Sequence, residues 1–326
     1  MAGNPLPLVL ITHKLPSDWI KMLDGQCILY TGPTDATQFD QSLVELLPNA
    51  DGLLSLLTIP VTEKMLEQAP GLLVVSNMAV GVDNIDIKAC TKRGIPVGNT
   101  PGVLTESTAD LTMALLLSIA RNIPAASSAA REGYWKTWSP TGWLGMELYE
   151  STLGIIGMGI IGQAVAKRAI GFGMNILYND PVLIDHPVAS LVTFEELLER
   201  SDIISLHAPL TPDTRGMINK STLSLMKPSA ILINAARGPL VDTTALLEAL
   251  QDYKLGAVAL DVTDPEPLPP AHPLYSIPNC LIVPHIGSAT QKTRRRMAEL
   301  ACENLLAGLR GERLPHCVNP EVYNQK

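Results

Sequence analysis

The sequence predicts an α/β protein in which a doubly wound parallel sheet is joined to a second, smaller α/β unit. From residue 153 onward, short runs rich in Val, Ile and Leu alternate with amphipathic segments, as expected of strands connected through helices. The first hundred residues repeat this alternation more loosely. The chain has 326 residues, 46% hydrophobic and 17% charged, so two domains with sizeable cores are expected and intrinsic disorder is excluded.

Six strands with helical stretches between them are predicted in the larger unit. The strands are the apolar runs at 153–157, 175–179, 202–206, 230–234, 256–260 and 281–283. The helices are predicted at 162–170, 194–201 and 242–253. Six parallel strands connected in this way are typical of a dinucleotide-binding sheet.

The smaller unit is predicted to be discontinuous in sequence. Its strands are expected at 8–12, 52–57, 73–76 and 96–98. Two long helices, 104–123 and 291–309, flank the larger unit, so the chain would leave the first unit through one helix and return to it through the other. The predicted domains are therefore 1–102 together with 291–326, and 103–290.

Composition and charge exclude several classes of protein. Lys and Arg number 24 against 32 Asp and Glu, a net charge of −8 without a basic cluster, so no nucleic acid partner is expected. The longest apolar run, 111–120, is far shorter than the ~20 residues that cross a bilayer, so no membrane association is expected. The amino terminus has no positive region or cleavage site of a secretion signal.

The five cysteines predict reduced thiols and a cytoplasmic location. Cys27, Cys90, Cys280, Cys302 and Cys317 are widely spaced, and no two of them have the C-x-x-C spacing of a metal or redox site. Buried small hydrophobic side chains are the simpler interpretation, and no metal site is expected.

A glycine loop predicts where a dinucleotide would bind. Gly157, Gly159 and Gly162 form G-x-G-x-x-G between a predicted strand and a predicted helix. The first glycine permits the turn, the second lets the backbone approach a pyrophosphate, and the third lets helix and strand pack closely. A glycine turn before an ordinary helix is the alternative. Asp180 follows the next strand, 18 residues after Gly162 and near the ~20 expected of a ribose-binding acid, which favours the cofactor interpretation.

Asp180 also predicts which dinucleotide is preferred. A carboxylate accepts hydrogen bonds from ribose hydroxyls but repels a 2′-phosphate, so NAD(H) is expected. The stretch 180–187 contains no Arg or Lys to bind that phosphate. His186 could partly substitute for such a cation, which leaves NADP(H) as the less favoured alternative.

Polar residues follow three of the predicted strands, at the sheet edge where α/β proteins bind ligands. Arg237 follows 230–234, Asp261 and Glu266 follow 256–260, and His285 follows 281–283. In the reduction of a carbonyl, His285 would supply the proton, Glu266 would stabilise the protonated imidazole, and Arg237 would bind a carboxylate and the adjacent carbonyl. This set predicts a reductase of 2-oxo acids. The alternatives are a surface ion pair for Glu266 and His285, a helix-end contact for Arg237 and a loop cap for Asp261.

These residues lie in longer segments that carry a family resemblance. The segments are VGVDN at 80–84, GIIGMG at 154–159, NAARGP at 234–239, LDVTDPEPL at 260–268, PHIGSAT at 284–290 and the tail 303–311. Over essentially its full length the chain resembles the D-2-hydroxyacid dehydrogenase family, and within it the glyoxylate and hydroxypyruvate reductases. The resemblance implies a Rossmann cofactor domain, a smaller flavodoxin-like substrate domain, a homodimer, and a small 2-oxo or 2-hydroxy acid as substrate.

The resemblance also implies roles for individual residues. His285 would be the acid/base, Glu266 its partner and Arg237 the substrate-orienting cation. Asp261 would hold the nicotinamide carboxamide, and the backbone N–H groups of Val80 and Gly81 would receive the substrate carboxylate. Further residues expected near the cofactor are Thr108, Ile160, Ile161, His207, Ala208, Pro209, Thr214, Ala235 and Gly287. Further residues expected near the substrate are Leu57, as part of a small apolar neighbourhood, and Trp143, reaching the active site of the partner subunit.

Two positions depart from the family pattern. Ile160 stands where many relatives have Arg or Lys, which removes a side-chain contact to phosphate but leaves the backbone contacts. Asp180 differs from the basic residues that NADP-using reductases of this kind often have.

Other activities within the same fold stay open at this stage. Phosphite dehydrogenases have a lysine where this chain has Val80, and a phosphoglycerate dehydrogenase would be expected to extend into a regulatory domain beyond residue 326. A D-lactate dehydrogenase and a non-enzymatic, NAD-sensing corepressor are the remaining alternatives.

Overall fold

The computed structural model describes residues 5–184 and 187–324. The chain forms two compact units, Met1–Leu104 with Thr290–Lys326, and Thr105–Ala289. Each unit is built on a sheet whose paired strands are parallel, which confirms the predicted α/β fold class.

Strands and helices alternate through most of the described chain. The strands are β1 Leu8–Ile11, β2 Ile28–Thr31, β3 Gly52–Ser55, β4 Val74–Asn77, β5 Val97–Gly98, β6 Thr152–Ile156, β7 Asn175–Asn179, β8 Ala189–Leu191, β9 Ile203–Leu206, β10 Ile231–Asn234, β11 Ala257–Leu260 and β12 Cys280–Ile282. The helices are α1 Gln41–Val44, α2 Glu63–Glu67, α3 Ile87–Lys92, α4 Thr105–Ala120, α5 Ile123–Arg131, α6 Ile160–Ile170, α7 Phe194–Arg200, α8 Lys220–Leu223, α9 Thr243–Gln251 and α10 Gln291–Leu309.

The smaller unit is a five-stranded sheet in the order β2-β1-β3-β4-β5, the flavodoxin-like order. Side chains of successive strand residues point to opposite faces, so each strand contributes to two cores. On β1, Val9 and Ile11 pack in the cluster that contains Ala301 and Leu305 of α10. Leu10 between them belongs to the cluster on the opposite face, which includes side chains of α1, α2 and α3.

The larger unit is a seven-stranded sheet in the order β12-β11-β10-β9-β6-β7-β8. One core cluster joins the sheet to α4 and α6, and a second joins its other face to α7, α8 and α9. Helices therefore cover both faces, as in a doubly wound Rossmann sheet. The order reverses at β6, which lies between β7 and β9.

One predicted helix is divided in the structure, two of its strands were not predicted, and the short helices α1, α2, α3 and α8 had no predicted bounds. The predicted helix 104–123 is two helices, because Asn122 adopts a left-handed φ of 52° and Pro124, in the first turn of α5, has no N–H to donate. The unpredicted strands β2 and β8 each form one edge of their sheet. Their side chains are mostly exposed or half-buried, so they lack the continuous apolar run by which the inner strands are recognised.

Within residues 5–184 and 187–324, no helix combines the length and the apolar character needed to cross a bilayer.

Tight packing marks the point where the strand order reverses. The N–H of His207, just after β9, donates to the carbonyl of Ile156 at the end of β6, with an N···O distance of 2.7 Å. Gly157 has φ +92°, and a Cβ there would lie 2.6 Å from the backbone nitrogen of Ala208. Only glycine fits this position, because both the dihedral angle and the space exclude a side chain.

The His207 side chain is held in the same packed region. Its Nε2 lies 2.8 Å from the hydroxyl of Ser205, which is fully buried. Burial lowers the pKa of His207 from 6.5 to about 4, so the imidazole is neutral at pH 7.

This burial predicts a loss of stability in mild acid. As the pH falls below 6.5, the unfolded chain protonates His207 while the folded protein does not until about pH 4, so stability falls across this interval. The pKa difference corresponds to about 3 kcal/mol at most. The free energies of unfolding of the wild type and His207→Gln can be measured in urea at several pH values from 7 to 4. The stability advantage of the wild type should shrink as the pH falls, and a constant difference would contradict the prediction.

Candidate active site

The glycines of the G-x-G-x-x-G motif between β6 and α6 differ in how much space surrounds them. Gly159 is the N-cap of α6, and a Cβ there would meet no atom within 4 Å. A Cβ on Gly162 would collide with the carbonyl oxygen of Gly157. The helix therefore packs directly on the loop at Gly162. At Gly159 the backbone is accessible, so a ligand could approach it there.

The start of α6 fits the phosphates of a dinucleotide. Gly159 makes no side-chain cap, and the N–H groups of Ile160, Ile161 and Gly162 belong to the first turn, where no intrahelical acceptor exists. The helix dipole adds positive potential at this end. Ile160 is 58% exposed and brings no charge, so it adds no cationic contact to the main-chain donors.

Asp180 follows β7 and is hydrogen-bonded to the glycine loop. Its Oδ2 accepts the N–H of Met158 at 2.8 Å, and its Oδ1 accepts the N–H of Val182 at 2.9 Å. Each oxygen keeps acceptor capacity for a ribose hydroxyl, so the carboxylate fits the adenosine ribose. His186, named above as a substitute phosphate contact, lies outside the described residues.

Residues predicted on the adenosine side lie in the segment after β9. His207 and Ala208 pack against Gly157, whereas Pro209 is exposed. The Thr214 hydroxyl donates to the carbonyl of Pro209 at 2.7 Å and accepts the N–H of Thr211 at 2.8 Å. Thr214 therefore closes this loop, and its contact with a cofactor stays a prediction.

His285 and Glu266 form a hydrogen-bonded pair. The Nδ1 of His285 lies 2.6 Å from Oε1 of Glu266, and 29% and 35% of the two side chains are exposed. His285 has φ +50°, which is unusual for a residue with a Cβ. Its N–H donates to the carbonyls of Asp261 at 2.9 Å and Val283 at 3.0 Å, and these bonds help to hold the strained conformation.

The Asp261 carboxylate holds the turn that carries His285. It is 2% exposed, and its oxygens accept the N–H groups of Ile286 at 2.6 Å and Gly287 at 2.9 Å. Burial raises the pKa of Asp261, and these two hydrogen bonds oppose that shift. A Cβ on Gly287 would lie 3.1 Å from Asp261 Oδ2 and 3.4 Å from Oγ1 of Thr108, so these three predicted residues are neighbours.

Arg237 follows β10, the strand that pairs with β11. Asn234, the last residue of β10, is fully buried; its Oδ1 accepts the N–H of Ala236 at 3.1 Å and its Nδ2 donates to the carbonyl of Arg237 at 2.8 Å. The sequence reasoning missed Asn234, although a polar residue closing an apolar strand was the available signal. Ala235 lies half-buried within this turn.

The turn carrying Arg237 packs on the loop carrying Glu266. A Cβ on Gly238 would collide with the carbonyl group of Thr263, so glycine is required for this close approach. The N–H of Thr263 in turn donates to Oε2 of Glu266 at 3.4 Å. The structure thereby brings these two loops together at the carboxyl edge of the sheet.

The remaining predicted substrate residues lie elsewhere. Leu57, Val80 and Gly81 belong to the smaller unit, in the loops that follow β3 and β4, and Leu57 is 41% exposed. Trp143 lies between α5 and β6, is 55% exposed and has φ +59°. No core cluster of the described residues includes Trp143, and its predicted role at a partner's site stays a prediction.

No group of three or more His, Cys, Asp or Glu side chains within residues 5–184 and 187–324 could hold a metal ion.

Comparison with known proteins identifies the family. Residues 113–287 match the NAD binding domain of the D-isomer specific 2-hydroxyacid dehydrogenases. A glyoxylate reductase of Korarchaeum cryptofilum is 46% identical over 321 residues, covering 97% of both chains. These findings confirm the predicted dinucleotide-binding domain and the family resemblance.

Solved structures agree with this. A protein from Thermus thermophilus has a TM-score of 0.90 and 47% identity, covering 95% of this chain and 99% of its own. An NADPH-dependent glyoxylate/hydroxypyruvate reductase from Sinorhizobium meliloti has a TM-score of 0.84 and 30% identity, covering 96% of both chains. With the glycine loop, Asp180 and the His285–Glu266 pair in place, the chain belongs to the D-isomer specific 2-hydroxyacid dehydrogenase family.

Proposed function

We propose that the protein is an NADH-dependent reductase of small 2-oxo acids that converts glyoxylate to glycolate and hydroxypyruvate to D-glycerate. The observation that carries the proposal is the 2.6 Å contact between His285 and Glu266, on the turn held by Asp261. The near full-length similarity to a glyoxylate reductase supports the choice of substrate.

The geometry of the pair gives the two ring nitrogens of His285 different roles. Nδ1 faces the Glu266 carboxylate and donates its hydrogen there. Nε2 is then the atom that holds the proton for the substrate oxygen. Glu266 fixes the orientation of the ring and stabilises its protonated form, as the acidic partner of a catalytic histidine does. In the reverse reaction His285 takes the proton back.

Arg237 binds the anionic substrate in this mechanism. Its guanidinium offers donors in a plane that match a carboxylate and the adjacent carbonyl oxygen. As charge develops on that oxygen, the fixed cation and the His285 proton stabilise it. The carboxylate is also received by the N–H groups of Val80 and Gly81, and Leu57 borders the rest of the small substrate.

The cofactor is held by the larger unit. When bound there, NADH would supply the hydride for the carbonyl carbon, and NAD⁺ would accept it in the reverse direction. The first turn of α6 would hold the pyrophosphate and Asp180 the adenosine ribose, with Thr108, His207 and Gly287 lining the site. Asp261 would accept a hydrogen bond from the nicotinamide carboxamide while its carboxylate still accepts the N–H groups of the turn that carries His285. The carboxylate of Asp180 disfavours NADPH, so NADPH is the poorer cofactor.

We infer a cytoplasmic homodimer as the working form. The stretch after α5 exposes Tyr134, Trp135, Trp138, Trp143 and Leu144, each at least 55% accessible in the single chain. Exposed aromatic side chains so close in sequence favour a protein interface. A second copy of the chain would cover them.

The proposed function is tested by following NADH and NADPH absorbance with glyoxylate, hydroxypyruvate, pyruvate and 3-phosphohydroxypyruvate, and in the reverse direction by following NAD⁺ reduction with phosphite. Glyoxylate and hydroxypyruvate should give the highest kcat/KM. Activity with phosphite alone, or a preference for 3-phosphohydroxypyruvate, would replace the proposal by another activity of the family. Binding of NADH without turnover of any substrate would favour a sensor.

Removing the proton donor should abolish most of the activity. His285→Asn is expected to lower kcat by about 100-fold or more, the usual range for a lost general acid. Fluorescence titration should give a dissociation constant for NADH within about 2-fold of the wild-type value. His272→Asn is the matched control, because His272 is the N-cap of a short helix and asparagine can make the same cap. Unchanged kcat in His285→Asn would remove His285 from the mechanism.

The choice of cofactor should depend on Asp180. Asp180→Ser removes the charge that repels a 2′-phosphate, so the ratio of kcat/KM for NADH to that for NADPH should fall by about 10-fold or more. Asp252→Ser removes a charge from an exposed residue of the same unit and should leave the ratio unchanged. A wild-type enzyme that already prefers NADPH would contradict the electrostatic argument.

A further inference from the structure

We propose that Asn77 and Asn99 are positioning residues that aim three successive backbone N–H groups, those of Val80, Gly81 and Val82, at the carboxylate of the substrate. The proposal deepens the function proposed above and rests on it. It assigns the anion site of the smaller unit to main chain that is held in place by two asparagine side chains.

Three successive carbonyl groups in this loop are hydrogen-bonded within the unit. The carbonyl of Ala79 accepts the N–H of Thr100 at 2.9 Å. The carbonyl of Val80 accepts Nδ2 of Asn99 at 2.8 Å, and that of Gly81 accepts Nδ2 of Asn77 at 2.9 Å. Asn77 ends β4, and Asn99 and Thr100 follow β5, so all three donors come from the carboxyl edge of two neighbouring strands.

The directions of the N–H groups follow from the planarity of the peptide bond. In a trans peptide the carbonyl of one residue and the N–H of the next point in opposite directions. Fixing the carbonyls of residues 79, 80 and 81 towards the sheet edge therefore turns the N–H groups of Val80, Gly81 and Val82 away from it. Within the described part of the chain, these three N–H groups have no hydrogen-bond acceptor. Successive N–H groups of this kind form a concavity that binds anions.

The same asparagine network fixes the neighbouring loop that contains Leu57. Asn77 is fully buried; its Oδ1 accepts the hydroxyl of Ser55 at 3.0 Å, and its Nδ2 also reaches Oδ1 of Asn84 at 3.0 Å. The Nδ2 of Asn84 donates to the carbonyls of Leu56 at 3.2 Å and Ile59 at 3.0 Å. Both substrate loops of the unit are thus held by one set of side-chain amides.

An amide suits this task better than a charged side chain, because it donates to a carbonyl without bringing a charge that would compete with the substrate. Asn77 is fully buried and its oxygen is satisfied by Ser55, whereas Asn99 is half-buried. Loss of one donor releases a peptide plane, which can then rotate and turn its N–H away from the anion. The effect should appear in substrate binding and not in the binding of NADH.

The test is Asn99→Leu, which keeps the size of the side chain and removes the donor to Val80. The KM for glyoxylate should rise about 10-fold while kcat changes less than about 3-fold, the result of a lost binding contact. The dissociation constant of oxamate, a non-reacting analogue of a 2-oxo acid, should rise about 10-fold in calorimetry with the protein–NADH complex. The dissociation constant of NADH itself should stay unchanged.

Asn319→Leu is the matched control. Asn319 is a fully buried asparagine of the same unit, and its side chain accepts the N–H of Val97 at 2.8 Å and donates to the carbonyl of Ile95 at 3.0 Å. Among the described residues, its side chain makes no hydrogen bond with residues 79–82. Its replacement should lower thermal stability while leaving the KM for glyoxylate and the affinity for oxamate unchanged.

The outcomes separate this inference from the proposed function. Equal oxamate affinity and equal KM in Asn99→Leu and Asn319→Leu would overturn the role of Asn99. If Asn99→Leu does not fold, Asn99→Ala is judged by the same criterion. If the wild-type protein binds oxamate but reduces no 2-oxo acid, the proposed function is refuted. Weaker oxamate binding by Asn99→Leu would in that case still support the role of Asn99.

Discussion

The buried Asp261 carboxylate is the contact on which the geometry of the larger unit's site depends most. It follows β11 and accepts two N–H groups from the turn that follows β12. It therefore joins the ends of two neighbouring strands and fixes His285 in a left-handed conformation that an isolated turn would rarely adopt. Burial makes this carboxylate costly to ionise, and the two backbone donors offset part of that cost.

The other parts of the site are held in a similar way. Asn234 holds the turn that carries Arg237, Asp180 holds the glycine loop, and Gly238 lets one loop lie directly on another. In each case a short side chain, or none, after a buried strand determines the path of the next few residues. The sheet supplies the rigid frame, because its strands are buried on both faces.

Much of this arrangement was predictable from the sequence. The inner strands were recognised because they are continuous apolar runs, and parallel pairing places their following residues along one edge. That reasoning put Glu266, Asp261 and His285 together, and the structure places them in hydrogen-bonded contact. Their catalytic roles, and those of Arg237 and Trp143, remain predictions.

Other features depend on information that a sequence pattern does not contain. The edge strands β2 and β8 have too few buried residues to form a recognisable run. The break at Asn122 comes from one left-handed residue inside an otherwise helical stretch. The hydrogen bonds of the Asn77 and Asn99 side chains could not be predicted, since their partners include backbone carbonyl groups, which every residue has.

An anion site made of peptide groups has a consequence for how this protein can diverge. In the proposed site the loop at 79–82 is held through its carbonyls, so exchange of the half-buried side chains at positions 80 and 82 would leave the binding N–H groups in place. Point mutations at these positions would therefore change the size or polarity of the acid that the protein accepts. The requirement for a carboxyl group at one end of the substrate would be retained.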